Sequence, residues 1–153
     1  MPIDYEIVRR AFRSLLKDET LFPWDKVVWE NRAQPTVSPS STEIWVMEDL
    51  IPVSERLSAN DTLEAVAIIQ YTVGVPRATG TEKAMELATT IKAALHPGQS
   101  VSLPDGSFAA GVVIEKSEHR AGRNSWGSTS SSGYDGVWYL TSVQVTWRAF
   151  ATL

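Results

Sequence analysis

The chain has 153 residues, of which 43% are hydrophobic and 21% are charged. This balance is typical of one globular domain and excludes a disordered or fibrous protein, so we expect a single domain over residues 1–153. The formal net charge of −4 argues against a general DNA-binding surface. The absence of cysteine excludes disulfides, thiolate nucleophiles and thiolate zinc sites.

The first residues lack the basic and apolar stretches of a signal peptide. The longest apolar run, Ala65 to Ile69, is too short to cross a membrane. We therefore expect a protein that folds in the reducing cytosol and does not bind membranes.

The first predicted element is a helix that begins after Asp4, whose carboxylate suits an N-cap. Ile3 and Val8 have the spacing of a hydrophobic staple. Apolar residues at helical spacing form one stripe: Val8, Ala11, Phe12, Leu15 and Leu16. The basic residues between them are interpreted as the solvated face of the helix, with a patch for an acidic partner as the alternative: Arg9, Arg10, Arg13 and Lys17.

Three strands are predicted before the second helix. The first is short and lies around Val27 to Glu30. The second runs from Glu43 to Ile51, where Pro52 is expected to end it. The third runs from Thr62 to Val75 and carries apolar residues on both faces, which predicts a strand covered on both sides.

A second helix follows the loop at residues 76–80, and the sequence from His96 to Gly98 stops it. Strands are then predicted from Phe108 to Lys116 and from Val137 to Phe150, separated by a glycine- and serine-rich loop over residues 118–136. The order predicts an α+β fold. It has a mainly antiparallel or mixed sheet of about five strands, with two helices packed on it and a long β-hairpin loop.

No pattern of residues predicts catalysis. The glycines at the ends of residues 74–80 do not have the spacing of a phosphate-binding loop. His96 and His119 lack the spacing of metal ligands. Glu115 and Glu118 lie three residues apart, but an exposed strand end lacks the contrasting environments that acid–base catalysis needs. We therefore expect no enzyme, and no catalytic, cofactor-binding or metal-binding residues.

The loop at residues 118–136 instead contains residue types that are enriched in protein interfaces, and we expect it to be weakly ordered before assembly. A solvent loop without a partner is the alternative interpretation. With two residues of the loop before the second helix, its members form the predicted interaction surface: Arg120, Arg123, Asn124, Trp126, Tyr134, Arg77 and Thr79.

From Val73 to Ala84 a strand ends at a proline, and a threonine–glycine turn leads into the second helix. This segment resembles the tail terminator (tail-completion) proteins of long-tailed phages, the lambda-like family. The residues at 29–32 and 45–46, the helix end at 96–99 and the final tryptophan-bearing strand are also similar to that family. The resemblance covers roughly residues 5–150, and the serine-rich run at 128–132 departs from it.

The resemblance implies a ring, typically a hexamer, on the head-proximal end of the tail tube. The ring ends tube polymerisation and provides the joining surface for the head–tail connector. The implied partners are copies of the chain, the tail-tube protein and the connector protein. Genomic DNA would pass through the ring without sequence-specific binding. The implied location is the virion tail, after assembly in the host cytoplasm. A neck or head-closure protein of the virion is one alternative, and a monomeric ligand-binding or hydrolytic domain is another.

Overall fold

The computed structural model describes residues 3–17, 27–28, 44–58, 61–76, 82–101, 112–124 and 138–152. These ranges contain two helices and six strands: α1 (Tyr5–Leu16), β1 (Val27–Val28), β2 (Trp45–Ser58), β3 (Thr62–Pro76), α2 (Glu82–Ala94), β4 (Ser100–Val101), β5 (Val112–Asn124) and β6 (Trp138–Thr152). The strands form one sheet in the order β1-β2-β3-β6-β5-β4. Five of them pair antiparallel, and β1 pairs parallel with β2. The predicted α+β fold is confirmed.

Helix α1 begins where the sequence predicts it. The Asp4 carboxylate accepts from the backbone N–H groups of Glu6 and Ile7 at 3.0 and 3.3 Å, which satisfies donors that a helix start leaves unpaired. The apolar stripe faces the sheet, and Phe12 lies with its ring centroid 6.2 Å from that of Trp147 on β6. Tyr5 lies 5.9 Å from the same indole. Helix α1 is thus packed over the middle of the sheet.

Both helices lie on one side of the sheet, which we call the covered face. It bears the odd-numbered core residues of β3 and β6, from Ala65 to Val75 and from Val143 to Ala151. Helix α2 and Leu95 after it contribute a stripe of small and apolar residues, from Ala84 to Leu95. Burial alternates along β6, because Val143, Val145 and Trp147 are buried while the residues between them are half-buried. The covered face therefore holds the hydrophobic core.

The opposite side, which we call the open face, bears the even-numbered residues of β3 and β6. No helix of the described ranges packs on it. Val66 and Ile68 are half-buried there, whereas Ala65 and Ala67 on the covered face are fully buried, so the middle of β3 is less covered on one face than predicted. One position on this face is tightly packed. A Cβ at Gly74 would overlap the indole of Trp45 on β2, which explains the glycine.

Strand β2 continues through Pro52, where the sequence predicts its end. Pro52 lies opposite Ala67, and the register shifts between Pro52 and Ser54. Strand β1 pairs with Val46 and Met47, so Pro52 lies where β2 has one described neighbour and a register irregularity, which are the positions where a strand tolerates proline. Beyond this point no described strand pairs with the outer side of β2, and residues 51–57 are all exposed.

Strand β5 also exceeds its predicted end at Lys116. It pairs with β6 as far as Asn124 opposite Tyr139, with irregularities between Ile114 and Lys116 and between Arg120 and Arg123. Residues 118–124 therefore lie in a strand, where the sequence predicts the start of the 118–136 loop. The partner strand supplies the hydrogen-bonding ladder, which overrides the weak strand preference of these polar residues. The predicted strand start at residues 108–111 and the rest of the loop lie outside the described residues.

Candidate interaction surface

Charged side chains of four neighbouring strands meet in one row across the open face. Glu64 on β3 is only 4% exposed and accepts from Arg56 Nε on β2 at 2.7 Å. It also accepts from the Arg148 guanidinium on β6. Arg148 Nε in turn lies 2.6 Å from a carboxylate oxygen of Glu115 on β5. We call Arg56, Glu64, Arg148 and Glu115 the ionic row, in which positive and negative charges alternate from strand to strand.

The hydrogen bond from Arg56 lowers the pKa of Glu64, and the charge of Arg148 acts in the same direction, against the raising effect of burial. Glu64 therefore remains charged at neutral pH. The same hydrogen bond raises the pKa of Arg56 above its ordinary value. The row contains equal numbers of each charge, so it offers no net basic patch that would hold a phosphate backbone.

A second, mostly uncharged row crosses the same face. Gln144 Nε2 on β6 donates to Gln70 Oε1 on β3 at 2.7 Å, and Gln70 Nε2 donates to Thr72 Oγ1 at 3.2 Å. Arg120 Nε on β5 donates to Gln144 Oε1 at 3.1 Å. Within the described ranges, the open face is therefore stabilised by side-chain pairs between neighbouring strands.

The predicted interaction residues fall into two groups. Arg120 lies on β5 with its side chain 59% exposed, 3.4 Å from a carboxylate oxygen of Glu118. Arg123 and Asn124 belong to the same strand, opposite Leu140 and Tyr139. The structure describes their backbone but not their side chains. Four predicted residues lie outside the described ranges altogether: Arg77, Thr79, Trp126 and Tyr134. The structure thus brings three of the seven onto one strand.

A buried carboxylate lies under α1 on the covered face. Glu48 is 1% exposed, with Arg13 Nη2 at 2.7 Å and Arg9 Nε at 3.5 Å from its Oε1. The interpretation of the basic run as a solvated face is therefore wrong for these two arginines, whose side chains are 25% and 15% exposed. It holds for Arg10, which is 70% exposed.

Burial raises the pKa of Glu48, and this outweighs the lowering effects of Arg13, the Tyr71 hydroxyl and Arg9. The sequence carries a signal for this cluster. Glu48 continues the inward alternation of Val46, and the two arginines lie four residues apart on α1. A charged residue in such a pattern indicates a buried partner of opposite charge.

A small pocket lies between the start of β2 and α2. It has a volume of about 230 Å³ and is lined by Ile44, Lys83, Glu86 and Leu87. These residues provide no nucleophile with an adjacent base. Among the described residues no group of three His, Cys, Asp or Glu side chains is placed to hold a metal ion. None of the helices described here has the length and apolar character to cross a membrane.

Exposed large apolar side chains concentrate at one edge of the sheet. In the described ranges they are Ile51, Val53, Leu57 and Met85, at 43%, 57%, 64% and 40% exposure. The first three lie within seven residues on the edge half of β2. Exposed apolar groups on an edge strand favour contact with another chain. We take two candidate interaction surfaces from these observations. The first is the β2 edge, residues 51–57, and the second is the β5 margin, the part of β5 that bears the exposed Arg120.

No protein-family profile and no curated protein sequence matches the chain. Solved structures do match. A protein that bears no functional name aligns with a TM-score of 0.61 at 16% identity, over 97% of this chain and 96% of its own. A chain from the virion of a native gene transfer agent particle aligns with a TM-score of 0.57 at 16% identity, over 94% of both chains. Likeness at this identity shows that the fold is shared.

Proposed function

We propose that the chain is a structural protein of a phage or phage-like virion. The observation that carries this proposal is the shared fold, over 94% of both chains, with a component of a gene transfer agent virion. The sequence resemblance to tail terminator proteins supports a narrower role. In that role, copies of the chain form a ring on the head-proximal end of the tail tube, end its growth and join it to the head connector.

Such a role requires surfaces rather than chemistry. A ring subunit needs two different surfaces that fit each other, because a head-to-tail contact that closes stops its own growth. The β2 edge and the β5 margin lie towards opposite sides of the sheet, which supports this arrangement. The neutral ionic row and the net charge of −4 are compatible with DNA that passes through a ring without being gripped. We propose that the protein has this structural role and no enzymatic activity.

In the decisive experiment, the gene is removed from a strain that produces the particles, and the lysate is examined by electron microscopy. Loss of the chain should give filled heads and separate tails whose tubes exceed the normal length. Supplying the wild-type chain from a plasmid should restore joined particles of normal tail length.

Other outcomes discriminate between the alternatives. Tails of normal length that fail to join heads would identify a neck or head-closure protein instead. Particles that remain intact and infectious, or competent for gene transfer, without the chain would refute a structural role. That result would favour a monomeric ligand-binding domain, and the pocket between β2 and α2 would then be the candidate binding site.

A further inference from the structure

Two stretches of strand edge lie on opposite sides of the four long strands. On β2, Ser54–Ser58 pairs regularly with β3, and no described strand lies on its other side. On β5, Lys116–Arg120 pairs regularly with β6. On the other side of β5, β4 pairs with Val112 and Val113, and the backbone of Gly98 and Gln99 bonds to Ile114, so no described strand pairs with Lys116–Arg120 there. Each stretch contains five residues and begins at a register shift. We call them the β2 edge stretch and the β5 edge stretch.

The directions of the two stretches are complementary. The four long strands lie in the order β2-β3-β6-β5, and each is antiparallel to its neighbour. Strands β2 and β5 therefore run in opposite directions. If a second copy extends the sheet in the same orientation, its β2 meets the first copy's β5 antiparallel, which is the more favourable ladder. The same contact can then repeat from copy to copy, as a ring requires.

We propose that a second copy of this chain places its β2 edge stretch, Ser54–Ser58, against the β5 edge stretch, Lys116–Arg120, so that the two sheets join edge to edge. The inference rests on the proposed function, because it names the contact by which subunits of the ring would bind each other. It commits to the chain itself as the occupant of both edges.

The faces of the sheet restrict the register of this contact. Arg56 lies opposite Glu64, and Glu118 lies opposite Gln144, so both belong to the open face. Glu55 accepts from the Tyr5 hydroxyl of α1, and His119 lies opposite the core residue Val143, so both belong to the covered face. Residues that oppose each other in an antiparallel pair share a face, so only every second register is allowed.

Charge selects one of the allowed registers. With Arg56 opposite Glu118, all five residues of each stretch are paired, from Ser54 with Arg120 to Ser58 with Lys116. A shift to the next allowed register in either direction places Arg56 opposite Lys116 or Arg120, which are like charges. Arg56 and Glu118 are 70% and 44% exposed, so both are accessible to a neighbouring copy.

The same register also covers apolar surface. Leu57, which is 64% exposed, would lie opposite Ser117 beside the core of the second copy. The register shifts at Pro52 and beyond Arg120 limit the ladder to these five pairs. A contact of this length is weak by itself and is strengthened when further subunits or a tail tube hold the copies together. We therefore expect assembly to depend strongly on protein concentration.

Cysteine trapping tests the contact directly, because the chain has no cysteine of its own. Ser54→Cys and Arg120→Cys are made in separate full-length proteins, mixed and oxidised mildly. Opposed positions in an antiparallel pair lie about 4.5–5.5 Å apart at Cβ, near disulfide range. The mixed disulfide should form about tenfold faster or more than in a matched mixture of Ser54→Cys with Met85→Cys, whose second site is on α2. Equal rates in the two mixtures would overturn the proposal.

Charge exchange tests the register. In the cysteine-bearing pair, Arg56→Glu on the Ser54→Cys protein or Glu118→Arg on the Arg120→Cys protein should each slow the cross-link several-fold. The two reversals together should restore it, because opposite charges face each other again. Slowing in both single variants without recovery in the combination would exclude this register. Thermal unfolding of each monomer identifies any change caused by loss of the Arg56–Glu64 pair within one copy.

The outcomes are separable from those of the proposed function. If the cross-link forms as expected but gene removal leaves virions unchanged, the edge contact stands and the virion role fails. If gene removal gives overlong tails but trapping shows no preference for the Ser54–Arg120 pair, the virion role stands and the edge contact is wrong.

Discussion

On the covered face of the sheet, Trp147 is fully buried against Tyr5 and Phe12, whereas its chain neighbour Thr146 on the open face is only half-buried. Packing on the covered face depends on the shape of the side chains, and few others would fill the space that Trp147 occupies. On the open face, side chains from adjacent strands pair with each other within reach of solvent, and a second protein can compete for such pairs. The comparison indicates that the packing that holds the fold and the pairs that a second protein could reach lie on opposite sides of one sheet.

The largest expected effect breaks the covered face. Trp147→Ala should lower the free energy of unfolding by about 3–5 kcal/mol, because the cavity left by a buried indole is only partly closed by relaxation. Thr146→Ala, one residue away on the open face, should change it by less than about 0.5 kcal/mol. Urea denaturation of both variants measures the difference. Similar losses would show that the open face is packed as tightly as the covered one.

A smaller effect concerns Glu48, a buried charge of the covered face. Arg13→Gln should cost about 2–3 kcal/mol at neutral pH, because the buried carboxyl of Glu48 would lose its nearest partner. Arg10→Gln is the matched control on the same helix, and its exposed side chain predicts little change. The measurement is chemical denaturation at a series of pH values.

The pH dependence has a definite sign. Folding raises the pKa of Glu48, so in the wild-type chain this group reduces stability as pH rises from its unfolded pKa, about 4.3, through its folded pKa. Arg13 lowers the pKa of Glu48 and so favours its charged form. The difference between Arg13→Gln and wild type should therefore be larger at neutral pH than in acid. A difference that is constant from pH 7 to acid would contradict this assignment.

The smallest expected effect lies in the ionic row of the open face. Folding lowers the pKa of Glu64, so its contribution is present above the unfolded pKa, about 4.3, and is lost as pH falls through the folded pKa. Glu64→Gln should lower Tm modestly at pH 7 and by less in acid, as calorimetry would show. Glu86→Gln on the exposed side of α2 is the control. A decrease in Tm larger than that caused by Arg13→Gln would show that the open face contributes more to stability than the buried pair of the covered face.

Much of the fold follows from local patterns. The carboxylate of Asp4 marks the start of α1, and the strict alternation along β6 places Val145 and Trp147 in the core and Gln144 outside. These signals are local because capping and amphipathicity depend on neighbours in sequence. The predicted end of β2 is wrong because the effect of a proline depends on whether its part of the strand has neighbours on both sides. That is a property of the sheet order, which short patterns do not encode.

The candidate surface is harder to predict from the sequence, because it too depends on the order of the strands in the sheet. Arg56, Glu64 and Arg148 are separated by 8 and 84 residues, and only the order β2-β3-β6 brings them into one row. Arg9 and Arg13 have the spacing of a solvated helix face, and their true partner becomes visible only when Glu48 is placed beneath α1. Arg120 is predicted as an interaction residue on composition, and the structure adds its position on the β5 edge stretch.

The close approach of Gly74 to Trp45 has a practical consequence. The indole of Trp45 lies against bare backbone on the open face, while Trp147 lies within the core on the other side of the same sheet. The chain has six tryptophans, and these two view opposite surfaces of the sheet. Variants that retain Trp45 or Trp147 as their single tryptophan would therefore report separately, by fluorescence, on events at each surface.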